Sequence, residues 1–262
     1  MANLIYRFMP ATGAIKTILD KSLKVSRISR LNDPYDSVPG IIEIPEDLKD
    51  PDREGISPEE FIRNMTDKNF GIVSFTKTAT DPVLWAHYAD NHRGLCLAFD
   101  TSVFPNDAFV DINYSDDRPC IRFARMQDKG YLQELGRDLD KALTTKSKSW
   151  AYEKEVRLIL STIEVEEPLP EFYGIPKGFL KEVILGVDCE YSPSNIRSLL
   201  IASNFQDVKI KIAMRQGDKF KVRLMDYIRF DMDEYIDKDP ELVAKLAFDQ
   251  IKEYLELESP NK

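Results

Sequence analysis

The chain has 262 residues, of which 43% are hydrophobic and 31% charged, and its formal net charge is −9. Such a chain can bury a sizeable core without staples, as one large domain or two small ones. The acidic balance excludes a broad non-specific nucleic-acid surface, which needs Lys and Arg to neutralise phosphates, but leaves room for a local basic groove.

Asn3 to Met9 reads as a strand and Ala11 to Asp20 as a helix with Ile15, Ile18 and Leu19 on one face. Leu23 to Ser29 alternates like a second strand and runs into the turn signal Asn32-Asp33-Pro34. Pro39 to Glu54, rich in Pro and acids, reads as a solvated loop. Ser57-Pro58-Glu59-Glu60 is a helix start, and that helix should reach about Lys68. Phe70 to Thr76 is a nearly continuous apolar strand, and Asp81-Pro82 opens a further helix to about Asp90. Leu95 to Phe99 reads as a buried strand and Phe109 to Tyr114 as another. Arg125 to Lys146 is an amphipathic helix, Glu153 to Ser161 and Leu180 to Val187 are strands, and Ser194 to Ser203 is a helix. Val208 to Met214 and Phe220 to Met225 flank the hairpin turn Gln216-Gly217-Asp218, and Glu241 to Leu257 closes the chain as an amphipathic helix.

The strands do not alternate strictly with long helices. The predicted class is therefore α+β, with mixed, largely antiparallel sheet and surrounding helices. One domain over residues 1–230 with a C-terminal helical appendage over 231–262 is expected. The cysteines, Cys96, Cys120 and Cys189, are few and form no CxxC pair. They predict reduced, mostly buried thiols and no zinc site. The N-terminal residues lack the pattern of a secretion signal and no apolar run approaches bilayer length, so cytoplasmic residence is expected.

Two segments concentrate chemistry. Asp81 to Gly94 carries both histidines, His87 and His92, with Trp85, Tyr88, Asn91 and Arg93. On a helix Trp85 and Tyr88 share one face, and Leu84, His87 and Asn91 another, while Gly94 suits a left-handed cap. The plain alternative is core aromatics with a histidine complementing the helix dipole. The two histidines are five residues apart with no Glu between them, so no metal is expected. The second segment is Trp150 to Arg157. In a strand, Glu153, Glu155 and Arg157 point to one face, a pairing of carboxylates beside a cation that suits acid–base or cation-stabilising chemistry. Its plain alternative is an exposed face with a cross-strand ion pair.

Tyr6-Arg7-Phe8, Leu31-Asn32-Asp33-Pro34-Tyr35-Asp36, Ser74-Phe75-Thr76, the run Leu84 to Gly94 and the run Trp150 to Arg157, in this order, resemble the bacterial family called domain of unknown function 2971. The resemblance spans Tyr6 to Leu160. Its most specific part is the segment from Trp85 to Gly94, and Val156 stands where the family usually has Trp. A more distant similarity is to the ADP-ribosyltransferase-like fold. It implies NAD as substrate, with Arg7, Ser74, Thr76, Trp85 and Tyr88 holding it. Glu155 and Glu153 would act on the ribose with Arg7 and His92, supported by Asn32, Asp33, His87, Asn91, Arg93 and Arg157. On that similarity the chain is an NAD-dependent effector of a toxin or phage-defence kind. Two alternatives stay open: a nucleic-acid-processing or nucleotide-binding effector using His87, His92 and Arg93 on phosphate, and a non-catalytic module docking a protein partner through the C-terminal helix.

Overall fold

The computed structural model describes residues 3–40, 58–121, 130–163 and 167–227. In chain order the elements are β1 (Leu4–Met9), α1 (Ala11–Asp20), β2 (Ser22–Lys24), β3 (Ser26–Arg27), α2 (Pro58–Asn69), β4 (Phe70–Thr76), α3 (Pro82–Tyr88) and β5 (Leu95–Asp100). They continue with β6 (Phe109–Asp111), β7 (Asn113–Ser115), α4 (Tyr131–Thr144), β8 (Thr145–Ser147), β9 (Glu155–Ser161), β10 (Phe172–Gly174), β11 (Leu180–Leu185), α5 (Pro193–Ala202), β12 (Lys209–Arg215) and β13 (Val222–Asp226). The fold is α+β, and its sheet pairings are mixed and mostly antiparallel. Among the described residues no helix is long and apolar enough to cross a membrane.

The helix starts follow local chemistry. Asp81 caps α3, its carboxylate accepting the Val83 N–H at 2.9 Å, with Pro82 in the first turn. Ser192 caps α5 through a reciprocal box with Asn195. The predicted helix Arg125 to Lys146 is shorter: α4 ends at Thr144, and Thr145 to Ser147 is strand. The predicted strand Leu23 to Ser29 is broken into β2, β3 and a 3-10 turn over Ile28–Arg30. The proposed C-terminal helix lies outside the described residues.

The chain divides into two compact units. The first comprises Met1–Ile5, Lys21–Lys77 and Asp100–Phe179. Here β9 runs antiparallel between β4 and β6, and β3 pairs with β4. Its core combines the aromatic cluster Phe75, Phe104, Phe109 and Phe179 with a second apolar cluster of Ile28, Phe70, Ile72 and Leu143. The second unit comprises Tyr6–Asp20, Thr78–Phe99 and Leu180–Lys262. Its strand order is β13, β12, β11, β5, then β1. There β11 and β12 run parallel, with α5 between them in sequence as the crossover, while β5 with β11 and β12 with β13 run antiparallel. The hairpin expected around Gln216-Gly217-Asp218 is present: β12 and β13 pair from Lys211 with Asp226 to Arg215 with Val222.

Candidate functional site

In the first unit the Trp150 to Arg157 segment and the Asn32 to Asp36 segment meet in one buried ionic network. β9 begins at Glu155, not at Glu153. Lys148–Glu153 is a 3-10 turn, and Lys154 turns left-handed at φ 46° before the strand starts. The expected single face of Glu153, Glu155 and Arg157 is therefore a corner. Glu153 and Glu155 still converge, because Lys146 on β8 reaches both, at 2.6 and 2.9 Å.

Arg157 is the centre and is wholly buried. Nε donates to Glu155 Oε1 at 2.7 Å, and Nη2 to Glu155 Oε2 at 3.0 Å. Nη2 also donates to both oxygens of Asp36, at 2.9 and 2.7 Å. Nη1 donates to Ser37 Oγ and to the Leu143 carbonyl, each at 2.8 Å. The fork geometry of guanidinium makes this set possible; a lysine has no planar fork to match it. Lys146 lies 3.3 Å from Asp36 and 5.2 Å above the Trp150 ring. Trp150 Nε1 donates to Asp33 Oδ2 at 2.7 Å, and Asp33 Oδ1 accepts the Tyr35 N–H, which closes the turn that delivers Asp36.

Three carboxylates thus face two cations. Burial alone would raise the Glu155 carboxyl, but the Arg157 guanidinium and then the Lys146 ammonium outweigh it and hold the group at about 2. Burial would lower Lys146, yet Glu155, Asp36 and Glu153 raise it above its ordinary value. β4 lies in register beside this corner, with Thr76 opposite Glu155 and Ser74 opposite Arg157. Directly opposed residues share a face, so Ser74 and Thr76 stand on the face of the network.

In the second unit Trp85 is fully buried. Its Nε1 donates to the Ala79 carbonyl at 2.8 Å, Phe8 meets its ring edge-on at 4.9 Å, and His92 stacks parallel to it at 6.3 Å. Tyr88 is half-buried, while His87, Asn91 and Arg93 are exposed. Arg7 is half-buried; burial of its guanidinium lowers it to about 10. Cys96 is buried, Cys189 half-buried and Cys120 exposed, all three free, so the expectation of mostly buried thiols holds for Cys96 alone.

The end of α3 differs from expectation. Gly94 is not the left-handed cap; Asp90, Asn91 and His92 are, at φ 46°, 53° and 69°. Left-handed residues cost about 1–2 kcal/mol each, and a run of three without glycine needs support. Trp85 O accepts the N–H groups of both Ala89 and His92, Ala86 O accepts that of Asn91, and Ala89 O that of Gly94. The far side is held by the start of the β11–α5 connection: Gly186 N donates to Gly94 O at 3.0 Å and Asp188 N to His92 O at 3.1 Å. The two glycines serve close approach. A Cβ at Gly94 would lie 2.3 Å from Met9 O, and one at Gly186 would lie 2.1 Å from His92 O.

This turn sets His92 in the wall of a groove of about 550 Å³. Pro82, Val187 and Asp188 continue that wall. The β12–β13 loop completes the lining with Arg215, Asp218, Lys219, Phe220 and Lys221. The volume falls within the range of small-molecule sites. Among the described residues no group of three or more His, Cys, Asp or Glu side chains has the arrangement of a metal site.

Residues 84–158 match the family model described as protein of unknown function (DUF2971). No curated protein matches the chain, and no solved structure does. The DUF2971 match begins inside α3 and ends in β9, so it contains the Trp85–His92 turn and the Trp150–Arg157 segment. Asp36 and the β12–β13 loop lie outside it.

The expected site residues therefore fall into two groups. Asn32, Asp33, Ser74, Thr76, Glu153, Glu155 and Arg157 belong to the first unit, and Arg7, Trp85, Tyr88, His87, Asn91, His92 and Arg93 to the second. Sequence reading missed Lys146 and Ser37 in the network, and Arg215, Lys219, Phe220 and Lys221 in the groove. For the groove a signal existed: cations flanking an aromatic residue after a turn.

Proposed function

We propose that this chain is a nucleotide-binding effector whose ligand occupies the groove beside His92. One observation carries the reading. His92 is held by a strained, heavily bonded turn in the lining of a groove that Arg215, Lys219 and Lys221 also line. Strain maintained by surrounding structure is a mark of sites that must present a group. The cations suit phosphate oxygens, and an imidazole can donate to a phosphate or exchange a proton with it. Phe220, fully exposed among the lining residues, offers a ring to a base.

Titration calorimetry of the full chain with ADP, ATP and NAD tests this. Micromolar to millimolar binding is expected, with about a tenfold loss on His92→Ala, the equivalent of one hydrogen bond to a charged group of about 1.4 kcal/mol. Absence of binding by all three compounds at millimolar concentration sinks the reading.

A second reading, NAD-dependent ADP-ribosyl transfer, is favoured by one observation in the first unit. Ser74 and Thr76 stand in register with Arg157 and Glu155, and Glu155 is fixed in its ionised form. Breaking the nicotinamide–ribose bond develops positive charge on the ribose, which a fixed carboxylate stabilises. Both oxygens of Glu155 already accept from Arg157, and one also from Lys146, so this reading ranks second. It expects nicotinamide release from NAD, followed by chromatography, and its loss in Glu155→Gln. A wild-type chain that releases none removes it.

A further inference from the structure

The β12–β13 hairpin carries a charge opposite to that of the molecule. Between Lys209 and Arg223 there are six Lys or Arg and one acid, Asp218, in a chain of net charge −9. Lys211 is paired with Glu182 at 2.9 Å, on the strand below the loop. Lys209, Arg215, Lys219 and Lys221 are exposed, and the Arg215 side chain is 81% accessible although Asp188 stands 3.5 Å away. Phe220 sits between two lysines and is 100% exposed. A single aromatic ring wholly in water on a cationic loop has no packing role.

From this we infer that the hairpin and the His92 groove bind a single-stranded nucleic acid, the cations following phosphates and Phe220 stacking on an unpaired base. The inference rests on the nucleotide reading above and names its ligand class. Cationic grooves with an aromatic platform are the recurring solution for single strands, because every base has a face to stack and every nucleotide a phosphate to neutralise. A duplex hides those faces, so Phe220 selects against it. The site is also concave, with His92 and Asp188 in its wall, whereas an anionic membrane would present a flat surface.

The test uses the full chain with fluorescent twelve-nucleotide single strands of RNA and of DNA, the matching duplex, ADP, and vesicles containing phosphatidylserine. Anisotropy should show a single strand binding at least about tenfold tighter than ADP, and weaker binding at higher salt, with a slope that falls by about 0.7 in Lys221→Ala. Phe220→Ala, whose ring supports no packing, should weaken single strands about tenfold and leave the duplex unchanged. The RNA and DNA arms tell which sugar is preferred. Single strands binding no tighter than ADP overturn the inference while leaving the nucleotide reading intact. Equal binding of the duplex, or Phe220-dependent binding of vesicles in place of strands, also overturns it. Strand binding that needs Phe220 but is indifferent to His92→Ala takes the His92 groove out of the site and overturns the inference together with the nucleotide reading.

Discussion

Arg157→Met is expected to lower the unfolding free energy by about 3–5 kcal/mol at neutral pH, measured by urea titration. That is the usual cost of removing one partner from a buried ion pair. The reason is the count of charges around it. Without the guanidinium, Asp36 and Glu155 keep Lys146 but lose the cation that binds both, and Ser37 Oγ and the Leu143 carbonyl lose its N–H. The methionine fills most of the volume, so the loss reports charge and hydrogen bonding more than a cavity. Arg157→Lys should recover only a small part, because an ammonium cannot reach Asp36, Glu155, Ser37 and Leu143 together. A cost below about 1 kcal/mol for Arg157→Met would mean that the network contributes nothing net, which does occur where desolvation cancels attraction.

The same network sets an acid limit with a definite sign. The folded Glu155 carboxyl lies at about 2, below its ordinary 4.5. A depressed carboxylate contributes stability that is complete above the unfolded value and is lost as pH falls towards the folded one. The contribution is about 3 kcal/mol, and its loss should run from about pH 5 to about pH 2. In Arg157→Met the carboxylates have every reason to take up a proton, so the penalty of that substitution should shrink as the pH is lowered through 5.

What the sequence made legible was what depends on near neighbours. The N-cap at Asp81 followed by Pro82, the strand Phe70–Thr76 and the hairpin around Gly217 are all encoded within a few residues, and the structure places them as expected. The network was visible only in part. The period-two spacing pairs Glu155 with Arg157, but Asp36 reaches Arg157 across 121 residues, and Lys146 enters through a strand whose sequence continues the pattern of a helix. Glu153 left the strand because Lys154 adopts a left-handed conformation, which lysine does not signal in sequence. The turn after α3 lies earlier than Gly94 for a related reason. Glycine is the default left-handed residue, so Gly94 drew the expectation, whereas Asp, Asn and His also tolerate that region and glycine was needed for close approach. The basic hairpin was hidden by averaging: a net charge of −9 describes the whole chain and says nothing of a fifteen-residue stretch with the opposite sign.

Gly186→Ala tests whether the left-handed turn and the groove are one device. The added methyl would meet His92 O at 2.1 Å, His92 C at 2.8 Å and Gly94 O at 2.8 Å, all backbone atoms with no rotamer to give way. The turn and the connection after β11 must separate, and the hydrogen bonds from Gly186 to Gly94 and from Asp188 to His92 lengthen or break. Two bonds at about 1 kcal/mol each, with overpacking of about 1–3 kcal/mol, give an expected loss near 4 kcal/mol. Because His92 and Asp188 both line the groove, nucleotide affinity should fall with stability. Asp90→Gly acts in the opposite sense at the same turn. Glycine removes a left-handed cost of about 1–2 kcal/mol and adds unfolded-state entropy of about 0.5–1 kcal/mol, so the variant should be as stable as the parent or slightly more so. It leaves the carbonyls of His92 and Gly94 in place, and should bind nucleotide as the parent does. If Gly186→Ala proved neutral for both stability and binding, His92 would not owe its position to the contact with Gly186, and the groove wall would have to be held by Trp85 and the α3 carbonyls alone.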